Sequence, residues 1–486
     1  LTRLADLFPG VDIPEAFAAR EVESVTCDSR AVAEGGVFFA VPGTKADGLD
    51  FAAQAVDSGA FAIVAERDLD PPLERALLIK VADVRGAMAR AAAAMYPRQP
   101  GTIAAVTGTS GKTSVAAFVR QIWAALGLKA ASIGTLGVVA PSASVYGSLT
   151  TPDPVSLHKT LDQLARDGIT HLALEASSHG IVQRRLDGVR LMAGAFTNLS
   201  RDHLDYHGTM EAYLAAKLEL FDRLLEPGAA AVVDADSDAA PAVVSACETR
   251  GLRVLTTGAK GASLRLAGAR ANDFGTDLRI AYEGHVYAPR LPLAGAFQVS
   301  NALVAAGLCI ALGGPAAAVF GALERLKGAP GRLELAGRRN GAPVFVDYAH
   351  KPDALDNVLR TLRPYVSRRL IVVFGCGGDR DAGKRPMMGE IAARLADLVI
   401  VTDDNPRTED PAVIRRAILV GAGESPKIRE IADRANAIAT AVGMLEPGDG
   451  LVIAGKGHET GQIVGSETLP FSDFDCALAA LKDEAA

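Results

Sequence analysis

The chain has 486 residues, 49% hydrophobic and 22% charged, with 49 Gly and 25 Pro; that balance excludes a disordered or collagen-like chain, and at roughly 100 to 200 residues per domain the length predicts three domains. Fifty Lys plus Arg against 57 Asp plus Glu give a formal charge of -7, so no global positive field is available to hold nucleic acid or an anionic membrane, and an anionic substrate must be held locally. The five cysteines, Cys27, Cys247, Cys309, Cys376 and Cys476, are odd in number, far apart and without a CxxC pair, which argues against a disulfide framework or a thiolate metal centre.

No apolar run reaches the roughly 20 residues that span a bilayer, and the amino terminus lacks the basic start, apolar core and cleavage site of a signal peptide. A reduced, cytoplasmic protein is expected.

The first hundred residues read as a small mixed α/β unit. A strand is predicted at Gly36 to Val41, a Pro42-Gly43 turn follows, Phe51 to Gly59 is helical and Ala60 to Ala65 is a second strand. Tyr96-Pro97-Arg98-Gln99-Pro100-Gly101 breaks this pattern, so the first domain is assigned to residues 1–98.

A second domain, residues 99–329, starts as strand, glycine loop and helix: Thr102 to Thr107, Gly108 to Lys112, and Thr113 to Leu126. Apolar segments at His171 to Glu175, Ala193 to Leu199, Ala229 to Asp234 and Leu252 to Thr256, separated by helical stretches, predict a largely parallel α/β sheet. The third domain, residues 330–486, repeats the logic with strands at Pro343 to Asp347, Leu370 to Gly375, Leu398 to Thr402 and Leu451 to Ala454. It reads as a doubly wound, Rossmann-like sheet with sites at the strand ends.

The most informative segment is Gly108-Thr109-Ser110-Gly111-Lys112-Thr113-Ser114. Its glycines relieve backbone crowding, its amides can face phosphate oxygens, Lys112 supplies a positive charge and the Thr113 hydroxyl can join a Mg²⁺ shell. The full GxxxxGK[ST] spacing is absent, because Val106 stands where its first glycine would be. The alternative is a solvated GTSG turn; the flanking strand and helix favour ATP or GTP binding.

With this motif the chain resembles the Mur ligase family, ATP-dependent amide-forming enzymes of peptidoglycan precursor synthesis whose loop reads GTxGKT. The resemblance covers essentially the whole chain. It implies an N-terminal domain for the UDP end of the substrate, a central P-loop domain for ATP and a C-terminal domain for the incoming amino acid. It also implies a cytoplasmic monomer acting in cell wall biogenesis.

Glu175, at a predicted strand end, can hold a hard oxygen-ligated cation near the loop. Asn198 to Gly208 packs two histidines and several other polar groups after another apolar strand, a composition that favours a site over a surface turn. The resemblance makes His203 a magnesium ligand beside Glu175 and Thr113. It makes Lys217, on a helix predicted from Thr209 to Phe221, a carbamylated lysine that helps organise a second Mg²⁺. The implied reaction is phosphorylation of a substrate carboxylate by ATP, followed by attack of an amine on the acyl phosphate.

Gly295-Ala-Phe-Gln-Val-Ser-Asn301 resembles the family's GxFNxxN element with Gln298 in place of its first Asn; Asn301 is implied to meet adenine, with helix capping as the alternative. Arg332 and Asp347, flanking the predicted interdomain hinge, are implied to hold ATP in a cleft that closes. Ser29, in Thr26 to Arg30, matches a contact to the uridine diphosphate, and Phe38 to Gly48 resembles a second such element. Thr150, Thr151, Ser177, Gln183 and Arg185 match contacts to UDP-N-acetylmuramoyl-L-alanyl-D-glutamate.

Asp404-Asn405-Pro406-Arg407 matches the DNPR motif of the family branch that adds meso-diaminopimelate. Arg407 can pair bidentately with the carboxylate that distinguishes diaminopimelate from lysine. Arg380 matches a further contact to the amino acid, and the carbonyl of Gly455 and carboxylate of Glu459 are implied to surround its distal ammonium. The Gly375 to Pro386 loop could be a second phosphate loop, but Lys384 lacks the GK[ST] spacing, so it reads as carboxylate-holding. Cys376 has no Cys/His partner pattern and is assigned no role. The rival readings are a lysine-adding ligase, a folylpolyglutamate synthase and, of another class, a P-loop ATPase switch with no amine acceptor.

Overall fold

In Thr102–Thr107, TIAAVT, every residue but the first is buried, as a parallel strand covered on both faces requires. It lies between His171–Glu175 and Ala193–Phe196, both parallel to it. Ala130–Gly134 flanks the first neighbour, and Ala230–Asp234 followed by Arg253–Gly258 extend the other side. Because the chain leaves Thr102–Thr107 in one direction and later returns on its other side, the carboxyl end of that strand is the point where strand order reverses, the usual ligand position in an open α/β sheet. The core against this sheet gathers Ile103, Leu157, Leu172, Phe196, Leu220, Phe221 and Val233.

A computed structural model describes residues 2–43, 46–69, 75–141, 144–145, 147 and 149–482. The chain forms two compact units, one of Leu1–Arg265 with Val304–Val319 and one of Leu266–Leu303 with Phe320–Ala486. The first also carries a four-stranded parallel sheet in the order Ser24–Thr26, Gly36–Phe39, Ala60–Ala65, Leu77–Lys80. Its faces bury alternate side chains: Val37, Phe39, Phe61 and Val64 with helix Val84–Met95 on one side, and Phe38, Ala40, Ile63 and Ala65 on the other.

In the second unit, Glu334–Arg339 pairs antiparallel with Ala342–Asp347, and the rest is parallel in the order Ala342–Asp347, Gly450–Ala454, Leu370–Phe374, Leu398–Val401, Ile428–Glu430. Leu370, Val372 and Phe374 face one apolar core while Ile371 and Val373 face the other, so helices cover both sides as a doubly wound sheet demands. The segments after Asp347, Phe374, Val401 and Ala454 therefore emerge at one edge of this sheet, the edge where such folds place ligands.

The predicted strands are present with ends shifted by a few residues, and the phosphate-loop helix runs Lys112–Ala125. Three features depart from the sequence reading. Antiparallel strands are added to the parallel set: Gly137–Val139 against Ala130–Gly134, and Gly275–Tyr282 against His285–Tyr287 and Arg290–Leu291. Glu283 and Gly284, with φ 46° and 77°, make the tight turn, of the kind whose twist suits a hairpin. Helix Met210–Glu219 stops short of Phe221 and passes into a π-type turn, Leu220–Leu224. Asn301 lies inside helix Ala296–Ala311 rather than ahead of it, which removes the capping alternative.

Candidate functional site

Two sites form, one in each unit. In the first, Gly108 has φ 143° and Gly111 φ 88°, and a Cβ on Gly108 would stand 1.9 Å from Thr197 Oγ1; only glycine allows that approach. Gly111 starts helix Lys112–Ala125, whose first amides receive no side-chain cap, the arrangement that holds anions. The adjacent strand end braces the loop. Thr197 Oγ1 donates to Ser110 O at 2.6 Å, Asn198 Oδ1 accepts from Ser110 N at 3.0 Å, and Thr109 N donates to Asn198 O at 2.9 Å. Lys112 Nζ curls over the loop to Gly108 O and Thr109 O, both at 2.9 Å.

The register that sets Glu175 beside Val106 delivers its buried carboxylate to the same strand end. Glu175 accepts from Thr113 Oγ1 at 3.1 Å and from the Thr135 amide at 2.8 Å. Thr135 was not singled out by sequence, because nothing in a TLG turn announces a carboxylate partner 40 residues away. Thr151 Oγ1 donates to Glu175 O at 2.9 Å and lies 3.0 Å from Ser177 Oγ. Arg185 donates to Thr151 O and to Gln183 Oε1, both at 2.7 Å, and Thr150 Oγ1 is 3.1 Å from Thr135 Oγ1. Thr150, Thr151, Ser177, Gln183 and Arg185 thus form one polar group continuous with Glu175.

Lys217 is 1% exposed and donates to Gly108 O at 2.8 Å, with Tyr213 beneath its ammonium position. Burial, reinforced by Lys112, pulls its amine down to about 6, so at neutral pH it is largely uncharged. His203, at φ 52°, packs edge-on to His179, their ring centroids 4.8 Å apart, and His207 lies against both His179 and Tyr213. Burial lowers the basicity of His179 and His207. Among the described residues no three His, Cys, Asp or Glu side chains gather as a ready-made cation cage. Ser29 is buried in the amino-terminal sheet region, its hydroxyl donating to Gln54 Oε1 at 3.1 Å; Thr44 and Lys45 of the second UDP-like element lie outside the described residues.

In the second unit, the four strand ends enclose a cleft of about 590 Å³ lined by residues that include Arg380, Asp404, Asn405, Arg407, Gly455 and Glu459. Arg380 is exposed and makes no hydrogen bond or ion pair among the described residues. Arg407 spends one nitrogen on Gly378 O at 2.8 Å. Its backbone, at φ 53°, is stitched to the hairpin Gly461–Val464/Glu467–Pro470: Arg407 N donates to Ile463 O at 3.0 Å and Gly465 N to Arg407 O at 2.7 Å. Asn405 Nδ2 donates to Glu459 Oε2 at 2.9 Å. Gly455 has φ 118° and a Cβ there would stand 2.6 Å from Asp404 Oδ2. Lys384 also lines this cleft, and its Nζ donates to His350 O at 2.8 Å. Cys376 lines the cleft as a thiol, pushed up to about 12 by burial, with its sulfur 3.7 Å from Met388 Sδ.

Two buried cations beneath this cleft escaped the sequence reading. Arg434 pairs bidentately with Asp473, both bonds 2.7 Å, and donates to Asp403 O and Ala454 O, which ties together the strand ends preceding Asp404 and Gly455. Lys456 bonds Asn405 and Glu459. Elsewhere in this unit, Asp347 accepts from the amides of Leu333 and Ala349 at 2.7 and 2.8 Å; burial pushes its carboxyl up, against the pull of Arg332 and those amides. The Arg332 guanidinium lies over Tyr348, 5.0 Å from the ring centroid. Gln298, the departure from the GxFNxxN pattern, is buried and donates to Arg332 O at 3.0 Å, while Asn301 donates to Gln298 Oε1 at 3.4 Å.

No described helix is long and apolar enough to cross a membrane. Residues 21–96 match the Mur ligase family catalytic domain, 106–309 the Mur ligase middle domain and 331–457 the Mur ligase glutamate ligase domain. The chain is 59% identical to a Bradyrhizobium diazoefficiens protein named UDP-N-acetylmuramoyl-L-alanyl-D-glutamate--2,6-diaminopimelate ligase, over 98% of each chain. It is 56% identical to a protein of the same name from Brucella melitensis, over 95% of this chain and 94% of that one. A solved structure of a ligase of that name superimposes with TM-score 0.75 at 33% identity, covering 100% of this chain and 99% of the other. A Mycobacterium tuberculosis folylpolyglutamate synthase shares the fold at TM-score 0.62 and 20% identity, over 81% of this chain and 93% of its own. With matches along nearly its full length, the chain belongs to the Mur ligase family.

Proposed function

We propose that this protein is an ATP-dependent amide-forming ligase that joins meso-2,6-diaminopimelate to UDP-N-acetylmuramoyl-L-alanyl-D-glutamate, releasing ADP and phosphate during peptidoglycan precursor synthesis. The observation that carries the amino-acid choice is the cleft of the second unit, where Arg380 and Arg407 offer unfilled guanidinium donors beside the carboxylate of Glu459. Two carboxylates and a distal ammonium are what such a lining recognises, and a lysine would leave a guanidinium unpaired. In this reading residues 1–98 hold the UDP end of the substrate, with Ser29 as a contact, residues 99–329 hold ATP, and residues 330–486 hold the amino acid.

The loop amides and Lys112 would hold the transferring phosphates, with Asn301, Arg332 and Asp347 serving the rest of the nucleotide. Thr150, Thr151, Ser177, Gln183 and Arg185 would position the muramoyl dipeptide. A substrate carboxylate oxygen attacks the γ-phosphorus and ADP leaves; the amine of diaminopimelate then attacks the acyl carbon and phosphate leaves with the oxygen. Donors fixed before the reaction favour the charge that develops on the phosphoryl oxygens.

The Thr113 hydroxyl and the Glu175 carboxylate supply hard oxygen donors beside the loop, the chemistry that suits Mg²⁺, which keeps several waters and does not need a complete protein cage. Thr113, Glu175 and His203 would hold one ion and the carbamate of Lys217 would help organise a second, and such ions when bound neutralise charge on the phosphates. The near-neutral amine of Lys217 supports the carbamate: its free electron pair can add to the carbon of CO₂, with release of a proton. The same reading places the protein in the cytoplasm as a monomer.

The test is ATP-dependent phosphate release with the UDP-muramoyl dipeptide and meso-diaminopimelate, L-lysine or no amine, with mass analysis of the product. A diaminopimelate adduct is expected. A lysine adduct would keep the ligase and overturn the role of Arg407, and phosphate release indifferent to both amines would leave an ATPase.

A further inference from the structure

The cleft of the second unit rests on a buried amine for which the reaction above has no use. Lys456 is wholly buried, and its Nζ donates to Asn405 Oδ1 at 2.9 Å and to Glu459 Oε2 at 3.1 Å. Asn405 Oδ1 also accepts from the Ile463 amide at 2.9 Å. An ammonium and a backbone N–H can only donate, so both require the oxygen of the Asn405 amide on their side. Its nitrogen is thereby turned the other way, where Nδ2 donates to Glu459 Oε2 at 2.9 Å. Glu459 Oε2 collects two donors, and Oε1, on a side chain 29% exposed and lining the cleft, receives none among the described residues.

We propose that Lys456 is a positioning residue for amino-acid specificity: it fixes Asn405 as a donor and Glu459 as an acceptor, so that one end of the ligand must offer a carboxylate and an ammonium in that order. This rests on the reading of the cleft as the diaminopimelate site. Lys456 touches no substrate atom and acts through the two side chains that do. An amide free to flip would present its oxygen to the cleft as readily as its nitrogen, and a carboxylate not held at Oε2 would turn; either loosens discrimination without altering the phosphate chemistry of the first unit.

The measurement is the ratio of kcat/KM for meso-diaminopimelate to that for 2-aminopimelate, which lacks the distal ammonium. Because both values come from one sample, the fraction of folded protein cancels. The wild type should favour diaminopimelate, and Lys456→Met, of similar volume and uncharged, should lower the ratio by about tenfold or more through KM for the amino acid, with KM for ATP and for the UDP-muramoyl dipeptide unchanged. Glu459→Gln should lower it similarly, and the double variant should add little, since both substitutions act on one carboxylate. Lys456→Gln, which keeps a donor and loses the charge, guards against a Met variant that does not fold and should give an intermediate ratio. A wild type that distinguishes the ligands, with a ratio unmoved in both variants, overturns the positioning role alone. A wild type that does not distinguish them overturns the diaminopimelate reading and the positioning role with it.

Discussion

The two sites handle charge in opposite ways. Around the phosphate loop the functional groups are engaged with their own chain: Lys112 with the carbonyls of Gly108 and Thr109, Lys217 also with Gly108 O, and Glu175 with Thr113 and Thr135. In the cleft of the second unit, Arg380 is open and Arg407 uses one nitrogen. A ligand at the loop meets uncapped helix amides, but to engage Lys112, Lys217 or Glu175 it must exchange existing hydrogen bonds for new ones, so from those side chains its net gain comes from charge rather than from the number of contacts. A ligand in the cleft meets donors already aimed and unfilled, and misfit there leaves a group unpaired. The first arrangement suits a step driven by electrostatics, the second suits discrimination.

The largest effect that would sharpen this contrast is Lys112→Ala, expected to lower kcat/KM by about 10³ in phosphate release, because the transferring phosphoryl would lose the positive charge proposed for Lys112; a loss below about tenfold would break the assignment. Arg407→Ala should raise KM for meso-diaminopimelate by about 10² while KM for ATP holds, as expected of a site whose donors serve recognition. Equal rises in both would erase the distinction between the sites.

Lys217 offers a smaller effect with a definite sign. Its folded-state basicity lies near 6 against an ordinary value of 10.5, so between those limits the unfolded chain binds more protons and native stability rises with pH. Lys217→Met removes that slope. In CO₂-free buffer the Tm advantage of the variant over the wild type should shrink by about 3 °C or more from pH 6 to pH 9, and a constant difference in calorimetry would show that the amine is not held neutral. The smallest effect is expected of Cys376→Ala: a thiol pushed up to about 12 is a poor nucleophile at pH 8, so activity should stay within about twofold, and iodoacetamide at pH 8 should act on wild type and variant at the same rate.

The sequence pattern carried the parallel strands because each is a short apolar run ended by polar or glycine residues; Ala60–Ala65, Thr102–Thr107 and His171–Glu175 need no tertiary information. It did not carry Gly275–Tyr282 and its partners, where exposed and buried residues alternate weakly and the turn at Glu283-Gly284 is not one of the strongest hairpin dipeptides. In the sites, residues adjacent to a recognisable loop were legible, whereas Thr135, Arg434 and Lys456 were not. Their roles arise from sheet order, which brings Asn405 and Glu459, 54 positions apart, to one hydrogen bond. A buried lysine in GKGHE looks like a surface charge until the neighbouring strand end is known.

The stitching of Arg407 to the Gly461–Val464/Glu467–Pro470 hairpin has an evolutionary consequence. The outer strand of that hairpin, Glu467–Pro470, is exposed throughout, so its side chains are free to drift. The inner strand is not: a one-residue slip would exchange the amides and carbonyls that hold the Arg407 backbone and swing its guanidinium away from the cleft. With Arg407 in the role proposed for it, substrate range could therefore be retuned by insertions or deletions in a surface ribbon, with every residue lining the cleft left unchanged.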